Sequence, residues 1–343
     1  MKIGILTFHD GINHGAYLQT FCLYKYLEEK GYDIEIINYI NFRRKIEDYK
    51  SIFLSKNPVR LKKNIKKYFR FRGAHKLINM SKIVFSAEKI NSFNYDAIIV
   101  GSDVVWNFGN NTYGFNPLYF GHSLKTKKLI SYAPSFGSTS ESIKIPSLLK
   151  RCLKRFDKIS VRDKNSLQIV NRVIKKIPPI VLDPVFLIDI SKYEKKCNES
   201  NFILVYSYHL TKKQQIKLIE FAKDKSMKLI SLGYDNPWCD ENIIDIGPFE
   251  MLGYFREAEY VVTSTFHGSM LSLIYNKRFC ICSNDHIYNK TSSLLGELNL
   301  LNLLILDDSL TKTLNYIIDY RFVNTKLKKM SDYSKNYLLS SLK

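Results

Sequence analysis

The fold is decided by the stretch Glu259-Tyr-Val-Val-Thr-Ser-Thr-Phe-His-Gly-Ser-Met-Leu-Ser-Leu-Ile-Tyr-Asn-Lys-Arg-Phe279. A short apolar run is followed by a polar turn, by apolar residues at helical spacing and by a second apolar run, which predicts a βαβ unit. His267 stands at the carboxyl end of the first strand, where open α/β sheets bind ligands. The Gly268-Ser269 helix start offers backbone N–H groups to an anion, and an imidazole exchanges protons near neutral pH. The same position also suits a histidine that only caps or packs.

Polar residues follow three further predicted strands in the N-terminal half. The apolar runs at 97–100, 129–133 and 158–161 lead into Gly101-Ser102-Asp103, Pro134-Ser135-Phe136-Gly137 and Arg162-Asp163. Carboxyl ends of parallel strands share one edge of a sheet, so this pattern is typical of a doubly wound α/β site.

Three side chains of this edge have alternative interpretations. The Arg162 guanidinium matches a carboxylate or phosphate in two-point contact, although an ion pair with a nearby acid would occupy it instead. Trp106 could stack on a sugar ring or lie half-buried in the core. Asp103 could bind sugar hydroxyls or cap the next helix.

The length of 343 residues exceeds the usual size of one hydrophobic core and predicts two α/β domains. The proline-rich segment from Pro178 to Pro184 is the best candidate for their boundary. We therefore predict an N-terminal domain at 1–178, with a basic insertion at about 43–76, and a C-terminal domain at 185–343. Whether the last helix crosses back to the first domain stays open.

The net charge of +20 is concentrated between Arg43 and Lys76, which together with the residues between them include 13 lysines or arginines. Apolar residues recur there at helical spacing, which predicts a basic amphipathic helix. Such a helix suits an anionic membrane surface, and a solvated basic face is the equally weighted alternative. No nucleic-acid-binding signature accompanies the charge, and we expect no nucleic acid partner. The candidate membrane-surface residues are Arg60, Lys62, Lys63, Lys66 and Lys67.

Several functional classes find no support in the sequence. The six cysteines form no CxxC motif and no histidine-spaced pair, so we expect buried reduced thiols and no metal. No apolar stretch approaches the roughly 20 residues of a membrane span, and the N-terminal apolar run is too short for a signal peptide, so we expect a cytoplasmic protein. The absence of G-x-S-x-G, P-loop and HExxH motifs argues against an α/β hydrolase, a P-loop ATPase and a zincin.

Six segments, in the same order along the chain, resemble the polysaccharide pyruvyl transferase family. Each segment is weak evidence by itself, and their common order makes the resemblance specific. Val104, Ser264 and Arg278 stand where the family usually has glutamine, aspartate and proline. The matching segments are Ile5–Gln19, Ile98–Asn107, Tyr132–Gly137, Ile159–Asp163, Leu182–Pro184 and Thr263–Gly268.

This resemblance implies two Rossmann-like domains in a glycosyltransferase-B-like fold. It also implies transfer of pyruvate from phosphoenolpyruvate to two hydroxyls of a sugar, giving a cyclic ketal in capsule, exopolysaccharide or cell-wall glycan synthesis. Phosphoenolpyruvate is the donor substrate, no cofactor is implied, and the favoured acceptor is a lipid-linked oligosaccharide. His267 would transfer protons and Arg162 would stabilise the leaving phosphate. The implied substrate-binding residues are Gly15, Gln19, Gly101, Ser102, Asp103, Trp106, Asn107, Ser135, Phe136, Gly137, Thr265, Gly268 and Ser269.

Two other classes of function stay open. A glycosyltransferase with a nucleotide-sugar donor would use the same fold, and the helix start at Gly268 would bind its diphosphate equally well. A membrane- or polymer-associated binding protein on a degenerate transferase scaffold is kept open by the three departures from the family pattern. A lipid-linked acceptor would also place the cytoplasmic protein peripherally on the inner leaflet of the plasma membrane, through the basic helix.

Overall fold

The computed structural model describes residues 1–109, 115–140, 142–305 and 309–343. Contacts between Cα atoms divide the chain into two compact units. The first unit comprises 1–51, 75–189 and 327–343, and the second comprises 52–74 and 190–326. The predicted domain boundaries differ from this division: most of the basic insertion belongs to the second unit, the first unit continues to Asp189, and most of the last helix belongs to the first unit.

The first unit is built on a five-stranded sheet, in the described part of the chain, in the order β2-β1-β3-β4-β5 with parallel neighbours. The central strands are runs of isoleucine, leucine and valine buried on both faces, which is the usual composition of a parallel sheet covered by helices. Its strands are β1 (Lys2–Leu6), β2 (Asp33–Ile36), β3 (Ala97–Val100), β4 (Lys128–Ser131) and β5 (Lys158–Ile159). The α-helices at 1–189 other than the one at 58–75 are α1 (His14–Glu29), α2 (Phe42–Phe53), α4 (Ala87–Asn91), α5 (Ser147–Leu153) and α6 (Lys164–Ile174).

The second unit contains, among its described residues, a six-stranded parallel sheet in the order β11-β10-β9-β6-β7-β8. Its strands are β6 (Phe202–Tyr206), β7 (Lys228–Leu232), β8 (Glu241–Ile243), β9 (Tyr260–Thr263), β10 (Arg278–Cys282) and β11 (Leu304–Ile305). The remaining helices are α3 (Pro58–His75), α7 (Lys212–Asp224), α8 (Pro248–Glu257), α9 (Phe266–Ile274), α10 (Asp285–Glu297), α11 (Leu310–Leu314) and α12 (Tyr320–Leu342).

The βαβ prediction from the opening stretch is confirmed by β9, α9 and β10. Strands β9 and β10 are parallel, with Val261 opposite Phe279. In the neighbouring βα unit, Thr211 caps α7 and exchanges two hydrogen bonds with Gln214, which forms a capping box. The local sequence signals therefore predict these elements at the positions that they occupy in the structure.

Two expectations from the sequence concern the state of the cysteines and the presence of membrane-spanning segments. All six cysteines are buried free thiols. Burial raises the pKa of Cys239 to about 12, so this thiol stays protonated at neutral pH. Within the described ranges, none of the helices combines the length and hydrophobicity that crossing a membrane requires.

Candidate functional site

Arg162 lies just beyond β5, at the carboxyl edge of the first sheet. Its side chain is 2% exposed, and its Nη1 donates to Asp183 Oδ2 at 2.7 Å. Its Nη2 lies 3.9 Å from Asp103 Oδ1. Asp163, the adjacent acid considered from the sequence, instead caps α6 by accepting from the Ser166 amide. The ion-pair interpretation of Arg162 is thus the observed one, with Asp183 as the partner.

The Gly101-Ser102-Asp103 segment follows β3, and Asp103 forms an isolated parallel β-bridge with Pro134. Gly101 has φ +110°, and a Cβ there would lie 2.4 Å from the Tyr132 carbonyl oxygen, so only glycine fits. The Ser102 hydroxyl is buried and donates to the Ala133 carbonyl at 2.9 Å. Asp103 keeps a side chain that is 14% exposed. Asp103 is therefore the most exposed of the three residues.

Trp106 is fully buried, which corrects the prediction that it stacks on a sugar. Its ring stacks on Phe120 with centroids 5.7 Å apart, and its Nε1 donates to the Tyr119 carbonyl at 2.8 Å. Phe136 belongs to the same aromatic cluster and is also fully buried. Both residues are core residues of the first unit, because their rings are surrounded by other aromatic side chains.

The other polar residues near these strand ends bond to one another. The Asn107 Oδ1 accepts from the Thr139 hydroxyl at 2.9 Å, and the Ser135 hydroxyl accepts from the Gly137 amide at 2.9 Å. A Cβ on Gly137 would lie 2.9 Å from the Asn107 amide nitrogen. These contacts shape the loop after β4, so Asn107, Ser135 and Gly137 act on a ligand at most through that loop.

The start of α1 also uses its predicted binding residues internally. Gln19 is fully buried, and its Nε2 donates to Thr7 Oγ1 at 3.2 Å and to the Ala16 carbonyl at 2.9 Å. Gly15 is buried in the first turn. Asn13 caps the helix by accepting from the Ala16 amide at 3.0 Å, a role that its position before the helical pattern could have indicated.

In the second unit, the turn from β9 to α9 is built around Thr265 and Gly268. Thr265 Oγ1 accepts from the Gly268 amide at 2.9 Å, and the Ser269 amide donates to the Thr265 carbonyl at 3.3 Å. The anion contact predicted for these two amides is therefore corrected, because the helix cap already uses them. A Cβ on Gly268 would lie 2.2 Å from Thr263 Oγ1, so glycine is needed for the close packing of α9 on β9. Ser269 is buried, with its hydroxyl bonded to the same turn.

His267 is the half-buried side chain of this turn. Its ring meets Phe266 edge to face, with centroids 5.1 Å apart. The other predicted residues of the motif, Thr265, Gly268 and Ser269, shape the backbone around it. In this motif, His267 supplies the imidazole, and Thr265, Gly268 and Ser269 hold the backbone that carries it.

Residues that the sequence reasoning missed extend this edge along the sheet. The Ser207 hydroxyl donates to the Ser264 hydroxyl at 2.8 Å, and the Tyr208 amide donates to Ser264 Oγ at 3.2 Å. Asn236 Nδ2 donates to the Ser207 carbonyl at 2.9 Å. Ser264 occupies the position where the family usually has aspartate, and here it ties the end of β9 to that of β6. The polar Ser207-Tyr208 pair after the apolar run of β6 was the available signal.

The predicted basic helix is α3, and one of its stripes contacts the rest of the second unit. Lys63 Nζ donates to the Asn242 carbonyl at 3.0 Å, and Lys67 Nζ donates to the Gly233 carbonyl at 3.1 Å. These two lysines are corrected as membrane-surface residues, because their ammonium groups bond to backbone oxygens of their own unit. The ion pairs on this stripe are Arg60 with Asp235 at 3.5 Å and Arg70 with Glu250 at 3.8 Å.

The neighbouring stripe of α3 is directed toward solvent. Val59 and Phe69 are 64% and 66% exposed, and Lys62 is exposed between them. Lys66 is largely exposed and lies 3.9 Å from Asp245. Two apolar and two basic side chains at spacings of three and four residues thus form one exposed face.

Comparisons with solved structures show the fold. A UDP-GlcNAc 2-epimerase from Neisseria meningitidis bound to UDP-GlcNAc is similar over 100% of this chain and 99% of its own, with 11% identity and a TM-score of 0.53. A UDP-GlcNAc 2-epimerase from Methanocaldococcus jannaschii in complex with UDP-GlcNAc and UDP covers 95% of this chain and 93% of its own, with 14% identity and a TM-score of 0.53. The predicted glycosyltransferase-B-like α/β class, with two Rossmann-like parallel sheets, is confirmed.

The sequence comparisons show the family. No curated protein sequence matches the chain significantly. The family model described as polysaccharide pyruvyl transferase matches residues 13–286. This range includes β9 and α9. It also contains every segment of the resemblance in full, except the first, Ile5–Gln19. This chain belongs to the polysaccharide pyruvyl transferase family.

Proposed function

We propose that this protein transfers pyruvate from phosphoenolpyruvate to two hydroxyls of a sugar, forming a cyclic ketal. The family match over residues 13–286 supports a transferase of this kind. The observation that carries the proposal is the setting of His267, a half-buried imidazole on the first turn of α9 at the carboxyl edge of a parallel sheet. Thr265 and Gly268 fix the backbone that presents it.

The reaction needs proton transfers that one imidazole can perform in turn. A proton is added to the methylene carbon of phosphoenolpyruvate, and the first sugar hydroxyl attacks C2 as it becomes electrophilic. Loss of phosphate breaks the bond between C2 and the phosphate oxygen, and the second hydroxyl then closes the ketal. Of the two hydroxyl protons, one balances the proton delivered to carbon and the other leaves with phosphate. His267 would serve as acid, base or both.

Arg162 has two possible parts in this reaction, and its neighbours favour one of them. A donor anion at Arg162 would have to share or replace the contact with Asp183 at 2.7 Å, and Asp103 lies nearby at 3.9 Å. Two carboxylates beside one guanidinium disfavour a third anion. We therefore propose that Arg162 mainly orients these two acids.

The acceptor is proposed to be a lipid-linked oligosaccharide at the cytoplasmic leaflet. Support comes from the exposed stripe of α3, where Lys62 and Lys66 lie between Val59 and Phe69. Apolar side chains that enter the headgroup region and lysines that meet anionic lipid are what an interfacial helix requires. The membrane would then concentrate the acceptor near the protein.

A nucleotide-sugar donor is the competing proposal, and binding measurements separate the two. The epimerase structures that contain UDP-GlcNAc are 11% and 14% identical to this chain, which shows the fold alone. Thermal shift with phosphoenolpyruvate and with a panel of nucleotide-sugars reports which donor binds the native state. We expect stabilisation by phosphoenolpyruvate and, with a suitable glycan, a product heavier by one pyruvic acid less one water. Stabilisation by a nucleotide-sugar alone would contradict the proposal.

A further inference from the structure

Lys67 reaches the carboxyl edge of the second sheet from outside the βα units that form it. Its Nζ donates to the carbonyl of Gly233, the first residue after β7, at 3.1 Å. Strand β7 neighbours β6, and β6 neighbours β9, the strand that precedes His267. The side chain of α3 therefore brings a cation to the same edge of the sheet as the imidazole.

The charge of Lys67 is not balanced by an acid in the described part of the chain. Its stripe neighbours Arg60 and Arg70 lie 3.5 Å and 3.8 Å from carboxylates, whereas Lys67 is bonded to a carbonyl. Burial lowers the pKa of Lys67 to about 8, because removing the ammonium group from water disfavours its charged form. The side chain nevertheless remains mostly charged at neutral pH. A partly desolvated cation without an acidic partner attracts an anionic ligand strongly.

The surroundings of Gly233 suit a polar ligand with an apolar portion. Tyr234 lies next to it, with its ring 6.1 Å from that of Tyr208. Tyr208 is 48% exposed, and Asn236 bonds to the loop after β6. Neighbouring strands are about 4.8 Å apart, so the ends of β7 and β9 are about 10 Å apart. That separation exceeds the distance between the carboxylate and the phosphate within one phosphoenolpyruvate.

We propose that Lys67 binds a phosphate of the acceptor, the phosphate or diphosphate through which the sugar is joined to its carrier. This inference rests on the proposed function, because it assumes that the donor occupies the neighbourhood of His267. Lys67 would hold the charged end of the acceptor while the sugar extends along the strand ends. A nucleoside diphosphate presents the same chemistry, and the test includes it as a separate ligand.

The test measures binding of inorganic pyrophosphate, UDP and phosphoenolpyruvate to the full chain by calorimetry, with Lys67→Met and the exposed control Lys62→Met. Pyrophosphate affinity should fall about tenfold or more in Lys67→Met, since a charged hydrogen bond is lost. Lys62→Met should stay within about twofold of the native chain, because an exposed charge contributes little. Phosphoenolpyruvate affinity should stay unchanged in both variants.

Lys67→Gln separates charge from support of the fold, because its amide can still donate to the Gly233 carbonyl. It should lose pyrophosphate affinity as Lys67→Met does, and neither variant should melt below the native chain. Native affinity for pyrophosphate in Lys67→Gln, or no saturable pyrophosphate binding by the native chain, would overturn the inference. An equal loss of phosphoenolpyruvate affinity would assign Lys67 to the donor instead, and UDP bound more tightly than pyrophosphate would assign it to a nucleotide.

The proposed function is checked independently of Lys67. Phosphate release from phosphoenolpyruvate in the presence of phosphate-free sugars should be alike in the native chain and Lys67→Met. Release without pyrophosphate binding would overturn only this inference. Pyrophosphate binding without phosphate release from phosphoenolpyruvate, whichever acceptor is supplied, would overturn the proposed function and leave Lys67 as an anion site.

Discussion

The carboxyl edges of the two parallel sheets hold their charged side chains in different ways. At the first edge, Arg162 is paired with Asp183 in the interior and lies near Asp103. At the second edge, Lys67 is bonded to a backbone carbonyl, and His267 stands half-buried at a helix start. Charge that is balanced within the protein serves mainly the fold, whereas a cation without an acidic partner is suited to an anionic substrate. We therefore propose that anionic substrates bind at the second edge.

The largest effect expected from this comparison is at His267. His267→Ala should lower turnover by about 10²- to 10⁴-fold, because proton transfer to and from the reacting atoms is lost. His267→Gln, which can hydrogen-bond but cannot transfer a proton to or from the substrate, should be nearly as slow. Steady-state kinetics with phosphoenolpyruvate measure both effects.

The control for His267 is donor binding by the same variants. Phosphoenolpyruvate affinity and the melting temperature should stay close to native, since Thr265 and Gly268 hold the turn without the imidazole. Recovery of native turnover by glutamine would mean that His267 only positions the substrate and that another group transfers the proton.

The next effect concerns the buried ion pair of the first edge. Arg162→Ala should lower the free energy of unfolding by about 3–5 kcal/mol, because Asp183 is left as an uncompensated buried charge. Asp183→Asn should also be destabilising, and the double variant should lose less than the sum of the two. Denaturant titrations of the single and double variants measure the coupling.

A different outcome for Arg162→Ala would remove the proposed difference between the two edges. If Arg162→Ala kept native stability but lost phosphoenolpyruvate affinity, Arg162 would be a donor-binding residue and the contrast with the second edge would fail. Arg162→Lys would then restore little affinity, since a lysine cannot replace a two-point contact.

A smaller effect is expected where the second edge packs most closely. Gly268→Ala should cost about 1–3 kcal/mol of stability, because the new methyl group would lie against Thr263 and force the turn to shift. Gly73→Ala in α3 is the matched control, since nothing lies within 4 Å of its added Cβ, and it should stabilise by up to about 1 kcal/mol. Equal effects at both glycines in thermal unfolding would contradict the packing argument.

The smallest effect is expected on the exposed stripe of α3. Lys62→Gln and Lys66→Gln should each weaken binding to anionic vesicles by about 1 kcal/mol, and salt should weaken the native binding. Lys63→Gln is the control, because its ammonium bonds to the Asn242 carbonyl. Vesicle sedimentation that is insensitive to the outer lysines would make this stripe an ordinary solvated surface.

Much of the sheet architecture could be predicted from apolar runs alone. Strand β3 begins and ends at the predicted residues, since it is a buried apolar run with Asp96 before it and Gly101-Ser102 after it. Strand β8 was missed because Glu241-Asn-Ile243 contains a single apolar residue. Strand β11 is only two residues long, too short to leave a pattern.

The environment of a side chain was harder to predict than the element that carries it. Trp106 lies in the segment that resembles the family, but its sequence neighbours do not reveal that Phe120 and Phe136 surround it. Likewise, helical spacing predicted α3 but not which stripe faces the protein. The carbonyls that hold Lys63 and Lys67 lie more than 160 residues away along the chain.

The interleaved division of the chain has a consequence for how the protein is synthesised. Residues 327–343 belong to the first unit, where the Ser334 hydroxyl accepts from the Leu182 amide and Ser331 donates to the Phe186 carbonyl. An emerging chain cannot complete the first unit until those residues leave the ribosome, after the entire second unit. The long-range contacts favour slow closure, with the first sheet exposed to chaperones in the meantime. Truncation before 327 should therefore yield an insoluble first unit rather than an independent domain.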